Sequence, residues 1–210
     1  MTTQSAHKFN LVLVDPKQAL CDAWSLFFAD LPRVSIHHGK FEELTEYDCM
    51  VSAANSFGLM DGGVDLAITS YFGIELMDRV QQAVIDEYRG EQPVGTSMIV
   101  ETGHAKHPYI AHTPTMRKPM RITKTDNVYA AMFAMLCEVW RFNRREPVDK
   151  MIRTVACPGL GTACGGMQPE KAAKHMSLAY YNFLDPPKQI SWPYAEARQT
   201  AIGAGGDGKY

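Results

Sequence analysis

Two glycine-rich segments carry the residue types in this chain best suited to chemistry. The first reads Asn55-Ser56-Phe57-Gly58-Leu59-Met60-Asp61-Gly62-Gly63-Val64-Asp65 and follows a run of β-forming residues. Gly62 and Gly63 lack a Cβ and can take positive φ, so their amides can approach a ligand closely, and the helix that starts there has free N–H groups that favour anions. A phosphate or a ribose would fit. Asn55 ends the strand and Asp65 stands ten residues later in the first helical turn, a pairing that can hold and deprotonate a hydroxyl or a water. A simpler reading stays open, with Asp65 as a helix-end charge worth about 0.3–1 kcal/mol and Asn55 as a turn residue.

The second segment, Pro158-Gly159-Leu160-Gly161-Thr162-Ala163-Cys164-Gly165-Gly166, again lies between an apolar strand and a helix. Four glycines in eight residues make a concave run of backbone donors suited to a diphosphate. Charge-assisted hydrogen bonds net roughly 1.5–3 kcal/mol each, so several could support micromolar binding without a lysine cluster. Gly159, Gly161 and Gly165 approximate the dinucleotide fingerprint with one residue too many. That fingerprint opens its fold, whereas this loop comes late in the chain. No Gly-Lys-Ser or Gly-Lys-Thr ends either loop, so a P-loop is absent.

The remaining reactive residues have plainer readings. His37 and His38 are successive strand residues that face opposite ways and cannot easily share an ion. His104 and His107 sit in a turn that reads as a solvated loop. His112 ends a strand, where a ligand-facing role and a satisfied core histidine are both open. Arg117, Lys118 and Arg121 follow that strand and can meet a phosphate or form ordinary surface charge. Cys21, Cys49, Cys137, Cys157 and Cys164 are odd in number with no C-x-x-C pair. They imply neither a disulfide framework nor a zinc ribbon, and Cys164, without a partner base, reads as a packing residue. No metal ligand set and no cofactor is indicated.

Positioning these loops requires buried strands with covering helices. Strands are expected at Phe9 to Val14, Val34 to His37, Asp48 to Ala54, Thr96 to Val100, Tyr109 to His112 and Ile152 to Cys157. Between them, helices are expected from Lys17 to Phe28 behind Pro16, from Val64 to Tyr71 and from Ile74 to Tyr88. The last of these has apolar Leu76, Val80, Val84 and Ile85 and a stop at Gly90. Further helices run from Asn127 to Phe142, capped by Thr125 or Asp126, and onward from Pro169-Glu170. About six strands interleaved with helices imply an α/β fold with a largely parallel sheet, whose ligands collect outside the carboxyl ends of the strands.

The chain has 210 residues, 46% apolar and 21% charged, in keeping with one globular domain and against a disordered chain. We expect a single domain over residues 1–187 and a partly flexible appendage over residues 188–210, where composition changes after Asp185-Pro186-Pro187 and glycine accumulates from Gly203. The 21 basic and 23 acidic residues give a net charge of −2, so no global positive field exists to hold nucleic acid. No apolar run approaches a membrane span, and Met1 to Lys8 has no secretory pattern, so a cytoplasmic location without membrane partners is expected. Composition is silent on oligomeric state.

Together the two loops resemble those of the macrodomain family, the ADP-ribose-binding module. Val51-Ser52-Ala53-Ala54-Asn55 is similar to its V-N-A-A-N strand end, and Gly62-Gly63-Val64-Asp65 to its G-G-G-V-D-type loop. Pro158 to Gly166 aligns without a gap to P-x-I-S-T-G-I-Y-G, and Tyr109-Ile110-Ala111-His112-Thr113 to Y-V-I-H-T. The resemblance covers roughly Val34 to Asp185 and implies a three-layer α/β/α fold with a mixed, largely parallel sheet of about six strands. It implies that ADP-ribose or an ADP-ribosylated substrate is the partner and that Asn55 positions the distal ribose. In the same terms Asp65 activates a ribose hydroxyl or water to hydrolyse an ADP-ribosyl linkage, and the second loop holds the diphosphate and distal ribose. A non-catalytic ADP-ribose reader and a phosphatase acting on ADP-ribose 1″-phosphate are the alternatives.

Several residues depart from the family pattern. Lys40 and Phe41 stand where its adenine-binding aspartate is expected, after His38-Gly39. Ser52 replaces the first asparagine, Asp61 a usual glycine, and Gly165 the aromatic residue that covers the distal ribose. These changes imply a divergent branch whose expected ligand is a derivative of ADP-ribose.

Overall fold

The computed structural model describes residues 9–203. In chain order the elements are β1 (Asn10–Asp15), α1 (Gln18–Phe27), β2 (Val34–His38), β3 (Cys49–Ser52), α2 (Gly63–Phe72), α3 (Glu75–Tyr88), β4 (Met98–Glu101), β5 (Tyr109–His112), α4 (Asn127–Arg145), β6 (Thr154–Cys157), α5 (Pro169–Leu184) and α6 (Trp192–Ile202). The strands form one sheet in the order β2-β1-β6-β3-β5-β4. All neighbouring pairs are parallel except β4 with β5. The fold is thus the expected three-layer α/β/α arrangement with a mixed, largely parallel sheet.

Both faces of the sheet are covered, which explains strands without polar alternation. Along β3, Cys49 and Val51 join a core that includes Leu11 and Leu13 from β1 and Trp24, Met132, Leu136, Met176 and Tyr180 from α1, α4 and α5. Met50, between them, joins the opposite core with Ile68, Leu76, Val80 and Ile110. Period-two side chains therefore feed two cores from one run of four residues. Among the described residues no helix is long and apolar enough to cross a membrane.

Several boundaries move for local reasons. Pro16 does not open α1: Asp15 Oδ1 accepts the Lys17 N–H at 2.9 Å, so Pro16 sits inside that turn and the helix begins at Gln18. In α3, Leu76, Val80 and Val84 are buried at four-residue spacing, whereas Ile85 is exposed. The chain leaves α3 through Arg89 in the left-handed region (φ 58°), one residue before Gly90. Pro169 occupies the first turn of α5 as expected.

The segment beyond Pro187 carries a helix that its composition did not disclose. The Ser191 side chain accepts the Tyr194 N–H, capping α6. Arg198 Nε donates to Tyr129 Oη at 2.8 Å and lies over the Phe133 ring, and Ile202 joins the larger core. The glycine-rich end from 204 to 210 lies outside the described residues.

Candidate functional site

A cleft of about 530 Å³ opens at the carboxyl ends of β1, β3 and β6. The sheet order decides what meets there. Because β6 lies between β1 and β3, the loop after β6 separates the turn after β1 from the loop after β3. Adjacent strands are about 5 Å apart, so the outer two of these three loops are about 10 Å apart. Asn55, Gly62, Gly63, Val64 and Asp65 from the first loop all line the cleft, as do Gly159, Gly161, Thr162, Ala163, Cys164 and Gly165 from the second. Leu160 and Gly166 do not line it. The Leu160 side chain is buried in the larger core, and Gly166 lies against Arg121.

Asp65 is 5% exposed in the first turn of α2. Its Oδ1 accepts a hydrogen bond from Ser52 Oγ at 2.7 Å, and Ser52, at the end of β3, is itself fully buried. Burial raises the carboxyl pKa to about 6, and the Ser52 hydroxyl opposes that rise. The acid is therefore largely ionised at neutral pH yet able to hold a proton just below it. Sequence reasoning registered Ser52 only as a substitution. Its clue is a hydroxyl in an otherwise apolar strand, 13 residues before the acid it reaches.

Asn55 organises its own loop. Its Nδ2 donates to the Leu59 carbonyl at 2.7 Å, and its Oδ1 accepts from the amides of Phe57 and Leu59. The turn role is thus in place, and the half-buried side chain still faces the cleft. Gly63 has φ +59°, but Gly62 is extended at φ −151°, so only one of the pair needs the left-handed region. A Cβ at Gly62 or Gly63 would meet nothing within 4 Å. Open space there is room for a ligand.

The second loop turns its carbonyls inward. Those of Gly161, Ala163 and Gly165 accept from the amides of Met167, Gly166 and Ile122, and the Gly159 carbonyl accepts from Thr162 Oγ1. Four carbonyls of this loop are thus engaged by the protein and do not oppose an anion. Cys164 is exposed at this loop and is not the packing residue that its small apolar character implied. The other end of the cleft is lined by Asp15, Lys17, Gly39, Lys40 and Phe41.

Outside the cleft, two open readings are decided and one expectation, the solvated His107, is corrected. His112 is buried, and its Nδ1 lies 2.6 Å from Gln92 Oε1. Desolvation lowers its pKa to about 3, so it is a neutral core histidine. His107 is buried rather than solvated, stacked on Tyr47 at 3.8 Å with its Nδ1 donating to the Tyr47 carbonyl. Arg117, in the basic segment, pairs with Glu91 at 2.7 Å on the surface, while Met116 and Pro119 from the same segment line the cleft.

The family model of the Macro domain matches residues 51–176, a span that contains both loops and β5. The chain belongs to the macrodomain family. This macrodomain is 33% identical over 145 residues to an uncharacterized protein of Aquifex aeolicus, covering 68% of this chain and 78% of that protein. Among solved structures, the Oceanobacillus iheyensis macrodomain with ADP superposes with a TM-score of 0.56 at 21% identity, covering 79% of this chain and 87% of that one. The macrodomain of Mycobacterium tuberculosis DarG superposes at 0.54 and 22% identity, covering 66% and 84%. At those identities the likeness establishes the shared fold alone.

Proposed function

We propose that this macrodomain binds ADP-ribose or a derivative and hydrolyses an ADP-ribosyl linkage, with Asp65 as the general base. The observation that carries the reading is the buried Asp65 carboxyl, held by Ser52 and raised to about 6 at the wall of a cleft that two glycine loops share. A base poised just below the operating pH combines adequate ionisation with useful basicity. In this reading the distal ribose lies over the first loop, where Asp65 takes a proton from a ribose hydroxyl or an attacking water. The bond from the anomeric carbon to the modified group then breaks, that group departs with the bonding electron pair and takes up a proton, and the oxygen of the deprotonated water is bonded to the carbon. Asn55 keeps the loop in shape and faces the same ribose, which makes it a positioning residue. Gly159 to Gly165 hold the diphosphate through backbone amides, and Leu160 and Gly166 shape that loop from behind.

The binding part of the reading is tested by calorimetry with ADP-ribose, ADP and AMP. ADP-ribose should bind most tightly, because it alone fills the first loop with a second ribose. Equal affinity for ADP-ribose and ADP would remove the distal ribose from this site.

A further inference from the structure

The end of the cleft away from Asp65 carries positive charge that the reading above leaves without a task. Lys17 and Lys40 both line it. They come from different elements, Lys17 from the turn between β1 and α1 and Lys40 from the turn that follows β2. The Asp15–His38 strand pairing and the Gly39 amide, which donates to the Asp15 carbonyl at 3.2 Å, hold those two turns side by side. Both lysines are exposed, and among the described residues neither ammonium is ion-paired. The two acids lining this end are otherwise placed. Asp15 is 9% exposed and its Oδ1 accepts the Lys17 N–H, and the charge of Glu42 bears on the buried hydroxyl of Tyr47, a residue outside the cleft.

The sheet order says which part of a ligand meets the lysines. With the diphosphate over the β6 loop and the distal ribose over the β3 loop, the nucleoside end of the same molecule extends across β1 toward β2. Because β2 is two strands from β6, a separation of about 10 Å, Lys40 stands beside the nucleoside rather than the diphosphate. The nucleoside of ADP-ribose is uncharged, whereas two cations that converge on a cleft from separate elements suit a phosphate. We infer that the ligand carries a phosphate on its nucleoside ribose, held between Lys17 and Lys40. This rests on the ADP-ribose reading and names the derivative that the cleft selects.

Wild-type protein should be titrated with ADP-ribose and with its 2′-phospho and 3′-phospho counterparts, at low and at high salt. One of the phosphorylated ligands should bind roughly tenfold or more tightly than ADP-ribose, and that ratio should shrink as salt screens the exposed lysines. The double variant Lys17→Gln, Lys40→Gln should bring the ratio to about one. Both side chains are exposed and unpaired, so its melting temperature should stay close to that of wild type. A ratio unchanged in the double variant, with all three ligands weakened alike, would put the lysines on the diphosphate and overturn the assignment. The wild-type comparison needs no variant: ADP-ribose bound as tightly as both phosphorylated ligands, or more tightly, would overturn it while leaving the ADP-ribose reading intact. Wild type binding none of the three would overturn the assignment together with the reading beneath it.

Discussion

Ser52 donates its hydroxyl to Asp65 Oδ1 at 2.7 Å, joining the end of β3 to the first turn of α2 beneath the cleft. Among the described residues no cation acts on the carboxylate, and the two influences on its pKa are burial, which raises it, and this hydrogen bond, which lowers it. In the proposed mechanism the link sets the pH at which Asp65 acts as a base, and it engages one carboxylate oxygen.

Removing the hydroxyl should move the acid in a known direction. In Ser52→Ala the opposing influence is gone, so the pKa of Asp65 rises above about 6. Single-turnover release of ADP-ribose should then reach half its plateau at a higher pH than in wild type, where the midpoint is near 6. A profile that does not shift would disconnect Ser52 from the base.

The same acid makes stability depend on pH. Its folded pKa of about 6 lies above the ordinary value of 3.8, so the folded protein holds the proton more tightly. The resulting stabilisation is full below about pH 4 and is lost as pH rises through 6, a change of up to roughly 3 kcal/mol by pH 7. Asp65→Asn stays neutral throughout and should be more stable than wild type at pH 7.5, with the difference closing toward pH 4. Urea unfolding at several pH values checks this, and a difference independent of pH would contradict it.

Glycine substitutions separate ligand contact from folding. A Cβ at Gly161 would meet Ile122 at 2.8 Å and Val128 at 2.9 Å, and its φ is +67°. Gly161→Val should therefore destabilise the fold by about 3 kcal/mol or more, so a loss of binding there says little about the ligand. Gly62 is extended with open space around its Cβ position. Gly62→Val should leave the melting temperature within a few degrees of wild type and weaken ADP-ribose by tenfold or more. Unchanged affinity would place the ligand away from the first loop.

The contrast between these glycines shows where sequence reasoning reached and where it stopped. Both loops, their strand-to-helix setting and the reactive acid were legible because glycine clusters and apolar runs are local signals. The conformation of each glycine was not: Gly62 and Gly63 read alike in sequence, yet only Gly63 takes positive φ. Ile85 failed for a related reason, since a helix with a narrow buried stripe can expose the neighbour of a buried valine. Ser52 was missed because the acid it reaches lies 13 residues on, across the β3–α2 loop; the meeting of the turn after β1 with both glycine loops was missed because nothing local reveals that β6 inserts between β1 and β3. The α6 helix was hidden by its weak amphipathicity, its anchor being an arginine over aromatic rings.

The central claim is that Asp65 is the base, and single-turnover release of ADP-ribose by Asp65→Ala, at saturating enzyme and paired with a binding titration on the same preparation, tests it most directly. Protein-, nucleic-acid- and phosphate-linked ADP-ribose serve as substrates. The backbone donors of both loops remain in this variant, so affinity should change little while release slows by roughly two to four orders of magnitude. Release at the wild-type rate by Asp65→Ala would contradict the claim, and wild-type protein that binds all three substrates without releasing ADP-ribose would make this macrodomain a reader.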